Sequence, residues 1–122
     1  MSKVYFDGII ESMNIRIVRV KSSYKSLNRL EVIFNQHSSE DITYDGITSR
    51  GYSIGGLAHH YVTNGYSRAL TNNPKFMDNF TKTLNIAIEE FKKDVNYDYS
   101  LDGWIGKIFI QPFENFFDWL KK

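Results

Sequence analysis

Arg50-Gly-Tyr-Ser-Ile-Gly-Gly-Leu-Ala-His-His60 is the stretch on whose reading the fold turns. Gly51, Ser53 and Gly55 fit the G-x-S-x-G spacing of a nucleophile elbow, in which a strained turn between a strand and a helix lifts a serine hydroxyl clear of the backbone. As an elbow, the stretch implies a parallel α/β sheet and hydrolysis at Ser53. As a plain turn, it is a glycine-permitted bend between an apparent strand and a helix, and the fold is decided by what flanks it.

Order and length favour the plain turn. The elbow fold runs Ser, then Asp or Glu, then His, whereas the last histidine of this chain is His60. His59 and His60 follow Ser53 too closely to act as the distal base. A parallel sheet also needs crossovers of about 30 residues each. In 122 residues there is room for about three of them.

Upstream of the turn the chain reads as strands. Val4–Ile10, Ile15–Lys21, Leu27–Asn35 and Ile42–Tyr44 are short runs rich in β-branched and aromatic residues, separated by Asn, Ser, Asp and Gly. Their short connections favour an antiparallel meander. Leu30, Val32 and Phe34 alternate with Arg29, Glu31 and Ile33, as in a strand with one buried face. In Ile15–Val20 the alternation breaks between Ile17 and Val18, which predicts a bulge or burial on both faces.

Downstream the chain reads as helices. Asn73-Pro74 pairs a capping side chain with a proline at the first helical position. Phe76, Phe80, Leu84, Ala87, Ile88, Phe91 and Val95 then recur at helical spacing as a core stripe. An earlier helix is expected over about Ile54–Leu70, split at Asn64-Gly65. A fifth strand is a candidate over 104–110, and Pro112 opens a short terminal helix. The expectation is a single α+β domain over 1–122: an N-terminal antiparallel sheet of about four strands followed by two or three helices.

Composition narrows the function. A net charge of +1 with 24% charged residues calls for no strongly electrostatic partner. The absence of cysteine excludes disulfides and thiolate chemistry, and no stretch approaches the roughly 20 apolar residues of a membrane span. A cytoplasmic protein is expected. No cofactor is indicated, since neither the Walker pattern nor the dinucleotide fingerprint occurs. No metal is indicated either, because His59 and His60 are adjacent and point about 100° apart on a helix, whereas helical metal pairs sit at i and i+4.

Three constellations remain. The glycine loop, with Arg50, Tyr52, Ser53, Gly55, Gly56, His59, His60, Tyr61 and Arg68, joins helix N-terminal amides to Arg, His and Ser donors and is the expected ligand site. The plain alternative is a structural turn with one histidine packed and the other solvated. Residues 1–30 carry a net +4 against −3 for 31–122. That excess gathers on Arg16, Arg19, Lys21, Lys25 and Arg29 around a hairpin with Tyr24 at its tip, a pattern able to grip phosphates and stack on bases. The blander account pairs these charges with Glu31, Glu40 or Asp41. Phe113, Phe116, Phe117, Trp119 and Leu120 form an apolar face at the C-terminal end. It either closes the core or serves as a homo-oligomer seam.

A short, cysteine-free domain rich in asparagine, lysine and isoleucine resembles, by size and composition alone, the accessory proteins of phages and mobile elements, including inhibitors of host defence. The resemblance implies a small non-enzymatic binding protein that inhibits or sequesters a host protein or a nucleotide-like signal. A nucleic-acid-binding module using the basic hairpin and a serine hydrolase using Ser53 are the alternatives.

Overall fold

The alternation along Arg29–Phe34 becomes the third strand of a four-stranded antiparallel meander in the computed structural model, which describes residues 2–49 and 51–100. The strands are β1 (Ser2–Ile10), β2 (Met13–Val20), β3 (Arg29–Phe34) and β4 (Ser38–Thr43), and their order across the sheet follows the chain. Arg50, the candidate strand over 104–110 and the aromatic segment with Phe113, Phe116, Phe117, Trp119 and Leu120 lie outside the described residues. The N-terminal antiparallel sheet followed by helices is the α+β arrangement expected from the sequence.

Register sets the buried face. Ile15 pairs with Phe34 and Ile17 with Val32, and all four side chains are buried, as is Leu30. Of the two causes expected for the break at Ile17-Val18, burial on both faces is the one found in β2, whose own backbone runs in regular register with β3. Ile17 and Val18 are each buried, on opposite faces of β2. Across from them, between Val4 and Phe6, the register of β1 slips by one residue at Tyr5.

The hairpin turns are tight and use left-handed backbone without glycine. Glu11 and Ser12 have φ of 47° and 69° between Ile10 and Met13, the geometry that matches the twist of the flanking strands. Asn35 and Gln36 do the same between β3 and β4, at φ of 53° and 64°. The longer link from β2 to β3 is organised by Asn28, which is fully buried. Its Oδ1 accepts from Arg19 Nε at 3.1 Å, from Arg19 Nη2 at 3.0 Å and from the Ser22 N–H at 3.4 Å. Its Nδ2 donates to the Tyr24 carbonyl at 2.9 Å.

β4 begins earlier than the expected Ile42–Tyr44 and ends before Tyr44. Its first residues, Ser38-Ser-Glu-Asp, are polar, as suits a strand that among the described residues stands at the edge of the sheet, so no apolar alternation marks them. Thr43 then turns the chain into α1 (Tyr44–Ser49), its Oγ1 accepting from the Gly46 N–H at 3.1 Å. The glycine loop therefore follows a short helix and not the apparent strand. α2 spans Ile54–Gly65, ends at the expected Asn64-Gly65, and gives way to a 3-10 turn at Arg68–Asn72.

α3 (Pro74–Asp98) starts where Asn73-Pro74 predicts, with Asn73 Oδ1 accepting from the Phe76 N–H at 3.1 Å. Each residue of its predicted stripe, from Phe76 to Val95, is buried. The helices share the Leu30, Val32 and Phe34 face of the sheet. Phe80 of α3 sits 5.6 Å from Phe34, and the Tyr61 hydroxyl of α2 donates to the Leu30 carbonyl at 2.6 Å. The chain divides at Lys92 into two compact units, the first holding the sheet, α1, α2 and most of α3.

Gly65 lets the end of α2 press against β4. A Cβ there would stand 2.9 Å from Glu40 Cβ and 3.0 Å from Phe34 Cε2. At the other end of α2 a cleft opens.

Candidate functional site

Gly51, at φ 69°, swings the chain from α1 towards α2. Gly55 and Gly56 are helical, so of the three loop glycines Gly51 alone uses left-handed backbone. Ser53 is the N-cap of α2. Its Oγ accepts from the Gly56 N–H at 3.0 Å, and its backbone, at φ −70° and ψ 162°, is relaxed and extended. An elbow nucleophile sits instead on a strained turn after a strand. Ser53→Ala is expected to cost about 1 kcal/mol in urea unfolding, with Ser53→Asp close to wild type. Equal stability of all three proteins would show that the cap contributes nothing.

The cap places Tyr52 on the surface. Tyr52 is 41% exposed, and its ring lies 6.1 Å from the His60 ring at a tilt of 37°. A Cβ on Gly56 would crowd the capping Ser53 Oγ at 3.3 Å, while meeting Tyr52 Cδ1 at an ordinary 3.7 Å.

His60 is held from two sides. Asn64 Nδ2 donates to the His60 carbonyl at 3.0 Å, which fixes the amide, and the same nitrogen lies 3.2 Å from His60 Nδ1. On the other side of the ring, Nε2 lies 3.8 Å from Glu40 Oε1. His59 points elsewhere, exposed, with Nδ1 3.4 Å from Thr63 Oγ1.

Tyr61 and Arg68 leave this surface. Tyr61 is fully buried, and burial, reinforced by the Asp41 and Glu40 charges and partly offset by the Ile42 N–H, holds its phenol well above the usual tyrosine range. It serves the core as a hydrogen-bond donor. Arg68 lies in the 3-10 turn beyond α2, whose far end at Gly65 is about 18 Å along the helix from Ser53. Among the described loop residues, Tyr61 is therefore not on the surface that Tyr52, Ser53 and His60 share.

What does converge is a pair of clefts sharing Tyr52. One, of about 210 Å³, is lined by Asp41, Ile42, Thr43, Gly46, Tyr52 and His60. The other, of about 180 Å³, lies between Tyr52 and α3, with Ile47, Ile54, Leu57 and Ile88 as its apolar lining and Asn85, Glu89 and Lys92 as its polar groups. Asp41, Thr43 and Glu40 escape a sequence reading, because their approach to Tyr52 and His60 depends on how α2 crosses β4. A third and larger cleft, of about 350 Å³, lies on the other face of the sheet beside Asp7, Asn14, Arg16 and Ile33.

The basic hairpin is largely committed to the protein itself. Arg19 is 3% exposed and bound to Asn28. Arg16 pairs with Asp7 at 3.9 Å and Arg29 with Asp41 at 3.4 Å, while Lys25 Nζ lies 5.0 Å from the centre of the Tyr44 ring. Lys21 is exposed. Among the described residues, no group of three His, Asp or Glu side chains is placed to hold a metal, and no helix is long and apolar enough to cross a membrane. No protein-family model, curated protein or solved structure matches the chain.

Proposed function

We propose that this is a small non-enzymatic binding protein that acts by occupying a partner, with Tyr52 at the centre of the contact surface. The observation that carries the reading is Tyr52 itself. It is an exposed aromatic side chain beside Gly56, flanked by His60 and walled into two clefts. Rigid, half-exposed tyrosines of this kind supply contact area at low entropic cost and are enriched among the residues that dominate binding energy.

A protein partner is favoured over a nucleotide-like signal. Asp41 and Glu40 stand beside Arg29 and His60, so the cationic groups near Tyr52 are already met by carboxylates and offer an anion little net attraction. Size and composition suit an accessory protein of a phage or mobile element that inhibits or sequesters a host component. The test is affinity capture from bacterial lysate, quantified by mass spectrometry, with wild type, Tyr52→Ala and His59→Ala. A partner held by wild type and His59→Ala and weakened about tenfold or more by Tyr52→Ala is expected. Capture that Tyr52→Ala leaves unchanged would overturn the reading.

A further inference from the structure

We infer that the cleft beside Asp7, Asn14, Arg16 and Gln36 is a binding site for a free α-amino acid with an amide side chain. It is separate from the contact surface at Tyr52, so its fate does not depend on the partner proposed there.

The cleft, of about 350 Å³, is larger than those beside Tyr52 and reaches the roughly 300 Å³ from which small-molecule sites begin. Register explains why these side chains meet. Asp7 pairs with Arg16, and Arg16 with Ile33, so a carboxylate, a guanidinium and an aliphatic side chain form one row across three strands, on the face opposite Leu30, Val32 and Phe34. Asn14, two residues before Arg16, shares that face. The turn between β3 and β4 is bound to it. The Asn35 N–H donates to the Asn14 carbonyl at 2.8 Å, and Asn35 Oδ1 accepts from the Asn14 N–H at 3.1 Å. Gln36, held in the same turn at φ 64°, is thereby set at the rim of the cleft.

Two opposed charges with two amides beside them suit a zwitterion. Arg16 Nε and Asp7 Oδ2 stand 3.9 Å apart, with side chains 51% and 68% exposed, an open pair that contributes little to stability. The contact leaves the two Nη groups of the guanidinium and the second carboxylate oxygen able to bond a guest. In an α-amino acid the ammonium nitrogen stands about 3 Å from the carboxylate oxygens, close to the separation within the protein's own pair. Laid antiparallel across that pair, the guest puts its carboxylate on Arg16 and its ammonium on Asp7, and each charge then has unlike neighbours. A lone anion or cation would instead meet a repelling charge beside the attracting one. The Asn14 and Gln36 amides each offer donors and an acceptor, which a guest amide matches, while the half-buried Ile33 backs the methylenes between.

The experiment is a titration followed by nitrogen–proton NMR with four probes: L-glutamine, N-acetyl-L-glutamine, which lacks the ammonium, L-glutaminamide, which lacks the carboxylate, and L-alanine, which lacks the side-chain amide. L-Glutamine is expected to bind with about millimolar affinity and to shift the side-chain amide signals of Asn14 and Gln36. Each blocked glutamine should bind at least about tenfold more weakly, and L-alanine about fivefold more weakly. Asp7→Asn and Arg16→Gln should each weaken L-glutamine at least about tenfold, with circular dichroism confirming that both are folded. Arg29→Gln, which breaks a similar exposed pair elsewhere on the sheet, should leave its affinity unchanged. Absence of saturable shifts with L-glutamine, equal binding of the blocked probes, or unchanged affinity in Asp7→Asn or Arg16→Gln would overturn the inference. Equal binding of L-alanine would overturn the preference for an amide.

Discussion

Replacing Phe80 by alanine is expected to lower unfolding stability by about 4 kcal/mol. Phe80 is fully buried, its ring stacked 5.6 Å from Phe76 and 5.6 Å from Phe34, so it joins α3 to the centre of the sheet. Alanine removes that apolar burial and leaves a cavity beside the rings of Phe34 and Phe76. Phe80→Leu should lose much less, because most of the volume is retained. Ile86, on the same helix but 68% exposed, is the control, and Ile86→Ala should change stability by no more than about 0.5 kcal/mol. Urea unfolding followed by circular dichroism separates these cases. A loss below about 1.5 kcal/mol for Phe80→Ala would mean that α3 does not pack on the sheet as described.

The second large effect is expected at Asn28. Asn28→Ala takes three donated hydrogen bonds away from Oδ1, two of them from a guanidinium that is 3% exposed, and also removes the bond to the Tyr24 carbonyl. Losing hydrogen bonds to a buried guanidinium together with the tether to Tyr24 is expected to cost about 3 kcal/mol, equivalent to roughly 10 °C in melting temperature for a domain of this size. Asn28→Asp keeps an acceptor for Arg19 and loses the donated bond to Tyr24, so it should fall between wild type and Asn28→Ala. If alanine and aspartate proved equally damaging, the Arg19 contact would be irrelevant and the tether to Tyr24 would carry the effect. Calorimetry on the three proteins decides this.

The two predictions also mark what the sequence conveys. The stripe containing Phe80 is legible because a long helix repeats its buried face every three or four residues, and Asn73-Pro74 announces where it begins. The meander is legible because strands with a buried face alternate. Arg19 is different. In sequence it looks like one more cation in a basic hairpin, and its burial depends on Asn28, nine residues away and itself unremarkable. The start of β4 is hidden for another reason: an edge strand beginning Ser38-Ser-Glu-Asp has no alternation to show.

The candidate site was legible only in part. Gly51, Ser53 and Gly56 do shape a turn, yet their roles as hinge, cap and close neighbour of the cap need coordinates. His60 and Glu40 stand 3.8 Å apart although 20 residues separate them in the chain, and no local spacing encodes such a pair. Tyr61, adjacent to His60, turns the other way into the core because one residue along a helix rotates the side chain by about 100°.

The slip in register at Tyr5 bears on how β1 could meet another strand. β1 is nine residues long and, among the described residues, stands at one margin of the sheet, where Val4 and Ile9 are exposed. An uninterrupted margin of that length exceeds the six or seven residues from which amyloid zippers assemble. The irregularity between Val4 and Phe6 bends and twists the strand partway along, so a second copy cannot lie flat against its whole length. The irregularity thus shortens the flat stretch of backbone that β1 offers for pairing with another strand.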